Sequence, residues 1–184
     1  NRMRMISIII ADDHRIIREG LISILKKHKN IEVIGEADNG KDAVNLTKKL
    51  LPDIVIMDVS LPDLNGIEAT RKIKACTPAV KVLALSMHSS RQFVAEMLNA
   101  GASGYLLKDC ASDELMFALR SLSEGKTYLS SLVAKSVLRS STGSEEPPET
   151  MVFSRLTPRE REILQMFSEG RSTREIALDL DVSV

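Results

Sequence analysis

Three short runs, ISIII at residues 6–10, IVIM at 54–57 and VKVLAL at 80–85, are apolar almost without interruption and rich in branched side chains. A strand reads this way when both of its faces are buried, because neither side meets water. Each run gives way to a stretch with helical spacing, so two periodicities alternate along the first two thirds of the chain. IEVIGEA at 31–37 and GYLL at 104–107 add two weaker strands. Between the strands, Ile17, Leu21, Ile24 and Leu25 share one helical face, and Ala43, Val44, Thr47, Leu50 and Leu51 share another. Ile67, Thr70 and Ile73 mark a third helix, Phe93, Val94, Met97 and Leu98 a fourth, and Leu115, Ala118, Leu119 and Leu122 a fifth. The punctuation agrees: Asn65 is placed to cap a helix with Glu68 three residues on, and Gly101 and Gly125 stand where helices should end.

Five strands alternating with five helices predict an α/β fold, a parallel sheet covered on both faces and built from right-handed crossovers. The second strand alternates with Glu32 and Glu36 and the fifth is short, so both belong at edges. This suits the flavodoxin-like order 2-1-3-4-5, whose ligand crevice lies outside the carboxyl ends of the strands. The residues at those ends are Asp12 and Asp13, Asp58, Ser86 and Lys108. Taken singly, an acid after a strand is as readily a helix cap as a functional group, and a lysine is usually a solvated charge. Their convergence from four separate positions on one rim is far more specific.

Electrostatics says what such a rim must hold. Two carboxylates about 4 Å apart repel by roughly 4 kcal/mol at an effective dielectric near 20, so three do not stay ionised unaided. Lys108 compensates one charge of three, and a divalent cation would neutralise the rest. Ligation by few oxygen groups, with room for waters and a phosphate oxygen, suits Mg²⁺ better than a dedicated Ca²⁺ cage. His14, His28 and His88 are dispersed along the sequence, which argues against zinc. The formal net charge is zero, so no global field recruits nucleic acid or an acidic membrane. Cys76 and Cys110 have no metal-like spacing and favour a reducing compartment. No apolar run approaches the length of a membrane span, and the expectation is a cytoplasmic protein.

The segments IIIADDH, IVIMDVSLPDLNGIEATR, VLALSMH and GYLLKD, in that order, resemble the successive signatures of the receiver domain of bacterial two-component response regulators, over residues 3–126. The resemblance implies that Asp58 accepts a phosphoryl group from a sensor histidine kinase. It implies that Asp13, Asp58 and the backbone carbonyl of Ser60 ligate Mg²⁺, with Asp12 holding a bound water. Ser86 would be the switch hydroxyl that bonds the phosphoryl group, Tyr105 the aromatic that reorients with it, and Lys108 the partner of phosphoryl oxygens. The expected readout surface is the fourth helix, fifth strand and fifth helix. One departure stands out: many receivers carry a cis proline after the matching lysine, whereas Asp109 follows here. A cis bond without proline costs about 2.5 to 4 kcal/mol, so the bond is either trans or held under strain.

After Gly125 the character changes. Residues 127–153 are expected to form a linker, with one short amphipathic helix in LSSLVAKSVL and a low-hydrophobicity tract, SSTGSEEPPET, at 140–150. Residues 154–184 are expected to regain order, with Thr157 and Glu160, then Ser172 and Glu175, spaced as capping boxes. This stretch resembles the opening of a LuxR-type helix-turn-helix domain, as in the NarL/FixJ branch, and stops at the turn into the recognition helix. Its arginines are outweighed by Glu160, Glu162, Glu169, Glu175, Asp179 and Asp181, so it carries no basic footprint. Specific DNA binding is therefore expected of the complete C-terminal domain and not of the 184 residues alone.

The function expected is a transcription regulator switched by phosphorylation, not a turnover enzyme. Its expected partners are a kinase, DNA and, once phosphorylated, a second copy of itself, with no membrane contact. Two other readings remain open. A stand-alone switch would use the tail for protein contacts only. A phosphatase of the haloacid dehalogenase type would carry D-x-D, which Asp58-Val59-Ser60 lacks.

Overall fold

The structure, a computed structural model, describes residues 5–139 together with Thr157. The expectations for the 140–150 tract and for the helix-turn-helix at 154–184 fall outside those residues, Thr157 apart. The chain runs β1 (Ile6–Ala11), α1 (Arg15–Leu25), β2 (Ile31–Ala37), α2 (Gly40–Leu50), β3 (Ile54–Asp58) and α3 (Gly66–Cys76). It continues with β4 (Lys81–Ser86), α4 (Arg91–Asn99), β5 (Gly104–Leu107), α5 (Ser112–Ser123), β6 (Tyr128–Leu129) and α6 (Ser131–Arg139).

Every strand pair is parallel, in the order β2-β1-β3-β4-β5-β6. The order expected for the first five strands is found, but the sheet has six strands and not five. Gly125, at φ 78°, ends α5 in the left-handed region and turns the chain back toward the sheet. There the Tyr128 N–H donates to the Ser103 carbonyl at 3.1 Å and the Ser130 N–H to the Tyr105 carbonyl at 3.1 Å. Two residues are too few to leave a periodic signal, and their strand character comes from pairing with β5. Both β6 and α6 thus lie in the stretch read as linker: β6 joins the sheet, and α6 packs on β5 and α4 with Val133 fully buried.

The apolar runs are explained by two core layers. Ile9, Ala11, Val55 and Met57 face Val44, Ile73, Val94 and Met97 of α2, α3 and α4. Ile8, Ile10, Ile54 and Ile56 face Leu21 and Leu25 of α1 and Leu115, Leu119 and Leu122 of α5. Successive side chains of one strand feed opposite layers, which is why those strands show no polar alternation. The β2 edge does alternate, with Glu32 and Glu36 exposed.

The helix limits carry one correction. The face predicted for α2 included Leu50 and Leu51, yet the helix closes at Leu50, Leu51 is left-handed at φ 47°, and both side chains are exposed. Pro52 disfavours helical backbone at the residue before it. The expected cap on α3 is present: the Asn65 side chain accepts from the Glu68 N–H at 2.9 Å. Gly66 starts α3 so close to the end of β3 that a Cβ there would lie 1.9 Å from the Asp58 carbonyl oxygen. That approach clamps the loop after Asp58. Among the described residues no helix is long and apolar enough to cross a membrane.

Candidate functional site: a carboxylate and lysine rim

Strand register assembles the site. Ala11 pairs with Met57, so the next residues, Asp12 and Asp58, emerge side by side at the carboxyl ends of β1 and β3. Asp58 pairs with Leu85 and Ser86 with Leu107, which brings Ser86 and then Lys108 to the same rim. The peptide between Lys108 and Asp109 is trans, as no cis bond occurs among the described residues.

Lys108 Nζ lies 2.7 Å from Asp58 Oδ2 and 2.7 Å from Asp12 Oδ2. The first contact is a hydrogen bond. The second is an ion pair out of hydrogen-bond alignment, which leaves Asp12 Oδ2 buried without an aligned donor. Asp58 Oδ1 accepts the Ser60 N–H at 3.1 Å. Burial pushes the Asp58 carboxyl above the ordinary value, and Asp12 adds to the rise; Lys108 and the Ser60 N–H oppose without cancelling it. Burial works against the Lys108 ammonium, but pairing with Asp12 and Asp58 outweighs it and holds the lysine above its usual value. One ammonium shared by two buried carboxylates leaves the rim short of positive charge.

Asp13 sits outward. His14 Nδ1 is 2.8 Å from Asp13 Oδ1 and 3.2 Å from Asp12 Oδ1, and the His14 N–H donates to Asp12 Oδ1 at 2.8 Å. The ligating atoms of Asp12, Asp13, His14 and Asp58 all fall within 4.8 Å of one another. The spacing fits a cation, and so does the buried, unaligned oxygen of Asp12. The three carboxylates are hard oxygen donors, and the His14 imidazole beside them is a softer, borderline one. Arg18 Nη1 donates to the Asp12 carbonyl at 2.7 Å and steadies the turn.

Ser86 and Tyr105 are joined through His88. The His88 N–H donates to Ser86 Oγ at 3.0 Å, and the Tyr105 hydroxyl donates to the His88 carbonyl at 2.7 Å. Tyr105 is fully buried, and burial holds its phenol above the ordinary value. The His88 ring stacks on Phe93 of α4 at 5.0 Å. All the residues predicted for the rim are therefore on it or one residue removed. Two participants were missed: His14, which the run ADDH could have suggested, and His88, which acts through backbone atoms that leave no side-chain signal.

A parallel α/β sheet with three carboxylates and a lysine at its carboxyl rim defines an aspartate-centred receiver fold. Comparison with known proteins agrees: the response regulator receiver domain matches residues 8–120, and the family described as bacterial regulatory proteins, luxR family, matches residues 154–184. Response regulator UvrY of Escherichia coli (strain K12) is 38% identical over 180 residues, which span 97% of this chain and 81% of that protein. A solved LuxR-family two-component response regulator from Aurantimonas sp. SI85-9A1 has 33% identity and a TM-score of 0.73, over 76% of this chain and 99% of that one. A structure of two RcsB dimers bound to two parallel DNAs has 28% identity and a TM-score of 0.69, over 98% of this chain and 85% of that one. The chain belongs to the response regulators, with a receiver domain followed by a LuxR-type DNA-binding region.

Proposed function

We propose that Asp58 accepts a phosphoryl group from a sensor histidine kinase, and that its phosphorylation state controls DNA binding by the complete LuxR-type domain. The observation that carries this reading is the Asp58 carboxylate held at the end of β3 between Lys108 Nζ and the Ser60 N–H, beside Asp12 and Asp13. An Asp58 oxygen attacks phosphorus, and the bond from phosphorus to the kinase histidine nitrogen breaks as the new O–P bond forms. Lys108 turns from carboxylate oxygens to the charge gathering on the phosphoryl oxygens, and the Ser60 N–H keeps Asp58 in position. Mg²⁺ would be held by Asp13, Asp58 and the Ser60 carbonyl, with Asp12 acting through a water, and would supply charge neutralisation. Ser86 then bonds the phosphoryl group and Tyr105 follows.

This reading divides the chain into a receiver at 3–126, a linker at 127–153 and an output region at 154–184. It places the protein in the cytoplasm, as a switch and not a turnover enzyme. The RcsB assembly of dimers on DNA supports a homodimer as the DNA-binding species, and in this reading phosphorylation of Asp58 promotes it. The test is acetyl phosphate with Mg²⁺: Asp58 should take the label, and Asp58→Asn should take none. Equal labelling of the variant would sink the assignment, and sustained turnover of phosphate esters would favour a phosphatase.

A further inference from the structure

The β5 edge and the neighbouring face of α4, where a readout partner is expected, are already covered by residues 128–134 of the same chain. Gly104 pairs with Tyr128 and Tyr105 with Leu129, and the Ser130 N–H donates to the Tyr105 carbonyl. Gly104 is moulded to this neighbour, since a Cβ there would lie 2.9 Å from the Tyr128 carbonyl oxygen. On one flank the Tyr128 hydroxyl donates to Glu114 Oε1 at 3.2 Å, and Phe117 meets the Tyr128 ring edge-on at 5.6 Å. On the other, buried Ser130 starts α6, its carbonyl accepting the Ala134 N–H at 2.8 Å, and α6 packs on α4 with Val133 in the same core layer as Val94, Met97 and Tyr105.

We infer that this internal docking surface is the switch's readout: the occupant that senses Ser86 and Tyr105 is the chain's own β6–α6 segment, which precedes the LuxR-type region in the sequence. The hydrogen bonds from Ser86 to Ser130 form one continuous series. Ser86 Oγ holds the His88 N–H, the His88 carbonyl holds the Tyr105 hydroxyl, and the Tyr105 carbonyl holds the Ser130 N–H. The His88 ring, stacked on Phe93, ties the same loop to α4. When Ser86 turns toward a phosphoryl oxygen it draws the 86–88 loop with it, and two of the three anchors of 128–134, β5 and α4, feel the pull. An exposed β5 edge open to an added strand from another molecule is not available in this fold.

The inference rests on Asp58 being the phosphoryl acceptor, and amide hydrogen exchange of the 184-residue chain separates the two. Beryllofluoride with Mg²⁺ serves as the stable phosphoryl mimic. Exchange at Tyr128, Ser130 and Ala134 should slow by about fivefold or more, the low end of coupling between linked sites. Val133→Thr, which places a hydroxyl in the core, should still label with acetyl phosphate at Asp58, yet speed exchange in α6 and abolish its response to the mimic. If Asp58 labels normally while exchange at 128–134 is indifferent to beryllofluoride, the inference is overturned and the acceptor assignment stands. Slowed exchange at 128–134 that appears only with rising protein concentration would also overturn it, because a second copy would then be the occupant. Absence of any label at Asp58 removes both readings together.

Discussion

The carboxylate cluster has a buried half and an open half. Asp12 and Asp58 are 1% and 3% exposed and share Lys108, whose side chain is 5% exposed. The side chains of Asp13 and His14, one and two residues further on, are 37% and 64% exposed. The buried half is placed by strands, whose register leaves its side chains no alternative. The open half is placed by a loop and by short polar contacts. Charges fixed at the strand ends therefore weigh on the stability of the fold as well as on what the site binds, whereas a charge on the loop can answer to a ligand with little effect on the fold. Substitutions in the two halves should separate these effects.

Removing the shared cation should have the largest effect. Lys108→Met keeps most of the side chain's volume but leaves two buried carboxylates without their partner. Breaking a buried pair from one side typically costs 3 to 5 kcal/mol, so a loss of about 3 kcal/mol in urea unfolding is expected. A change below about 0.5 kcal/mol would show that the rim is wetter than its burial implies.

Asp58→Asn should act in the opposite direction, stabilising the metal-free protein by about 1 kcal/mol, because it removes a like-charge contact with Asp12 and the cost of burying an ion. The pH dependence follows from the sign of the shift. The folded state holds the Asp58 proton more tightly than the unfolded chain does, so ionisation works against folding. The cost is fully present above the raised pKa and fades as pH falls toward the ordinary carboxylate value. The advantage of the variant should shrink over that same window. An advantage that grows on acidification would show that Lys108 holds Asp58 more firmly than burial opposes it.

How much of this was legible in the sequence depends on where each signal is stored. Ile8 and Ile9 point into different layers, so burial of both faces wrote β1, β3 and β4 directly into apolar runs. Asn65 and Glu68 announced a cap because capping is a local bond between near neighbours. The rim was legible for a related reason: an α/β sheet gathers its strand ends, so knowing the strands was enough to place Asp12, Asp58, Ser86 and Lys108 together. The β6 strand was not, since Tyr128 and Leu129 become a strand only by meeting the β5 edge. Neither was the division between Asp12 and Asp13. The two residues are chemically identical, and their difference lies in which way each faces as the chain leaves β1. The part of His88 was hidden for a third reason: any residue but proline offers the same N–H and carbonyl.

The smallest expected effect on the apo fold, and the one that sharpens the contrast most, belongs to Asp13→Ala. The Asp13 side chain is partly in water and its contact at 2.8 Å is to a His14 side chain that is itself mostly exposed. Its loss should change metal-free stability by no more than about 0.5 kcal/mol. The effect should appear when Mg²⁺ is added. A ligand that binds only the folded state stabilises it according to its concentration relative to Kd: about 2.7 kcal/mol at a hundredfold excess over Kd and about 1.4 kcal/mol at tenfold. If Asp13 is a direct ligand and its removal weakens binding by about tenfold, the two proteins should unfold alike in chelator and differ by about 1.3 kcal/mol at a Mg²⁺ concentration near a hundred times the wild-type Kd. Parallel urea titrations with chelator and with Mg²⁺ give all four numbers. Equal Mg²⁺ stabilisation of both proteins would remove Asp13 from the ligand set and leave the buried carboxylates to hold the ion alone. A large difference already present in chelator would place Asp13 with the structural half of the cluster, despite its exposure.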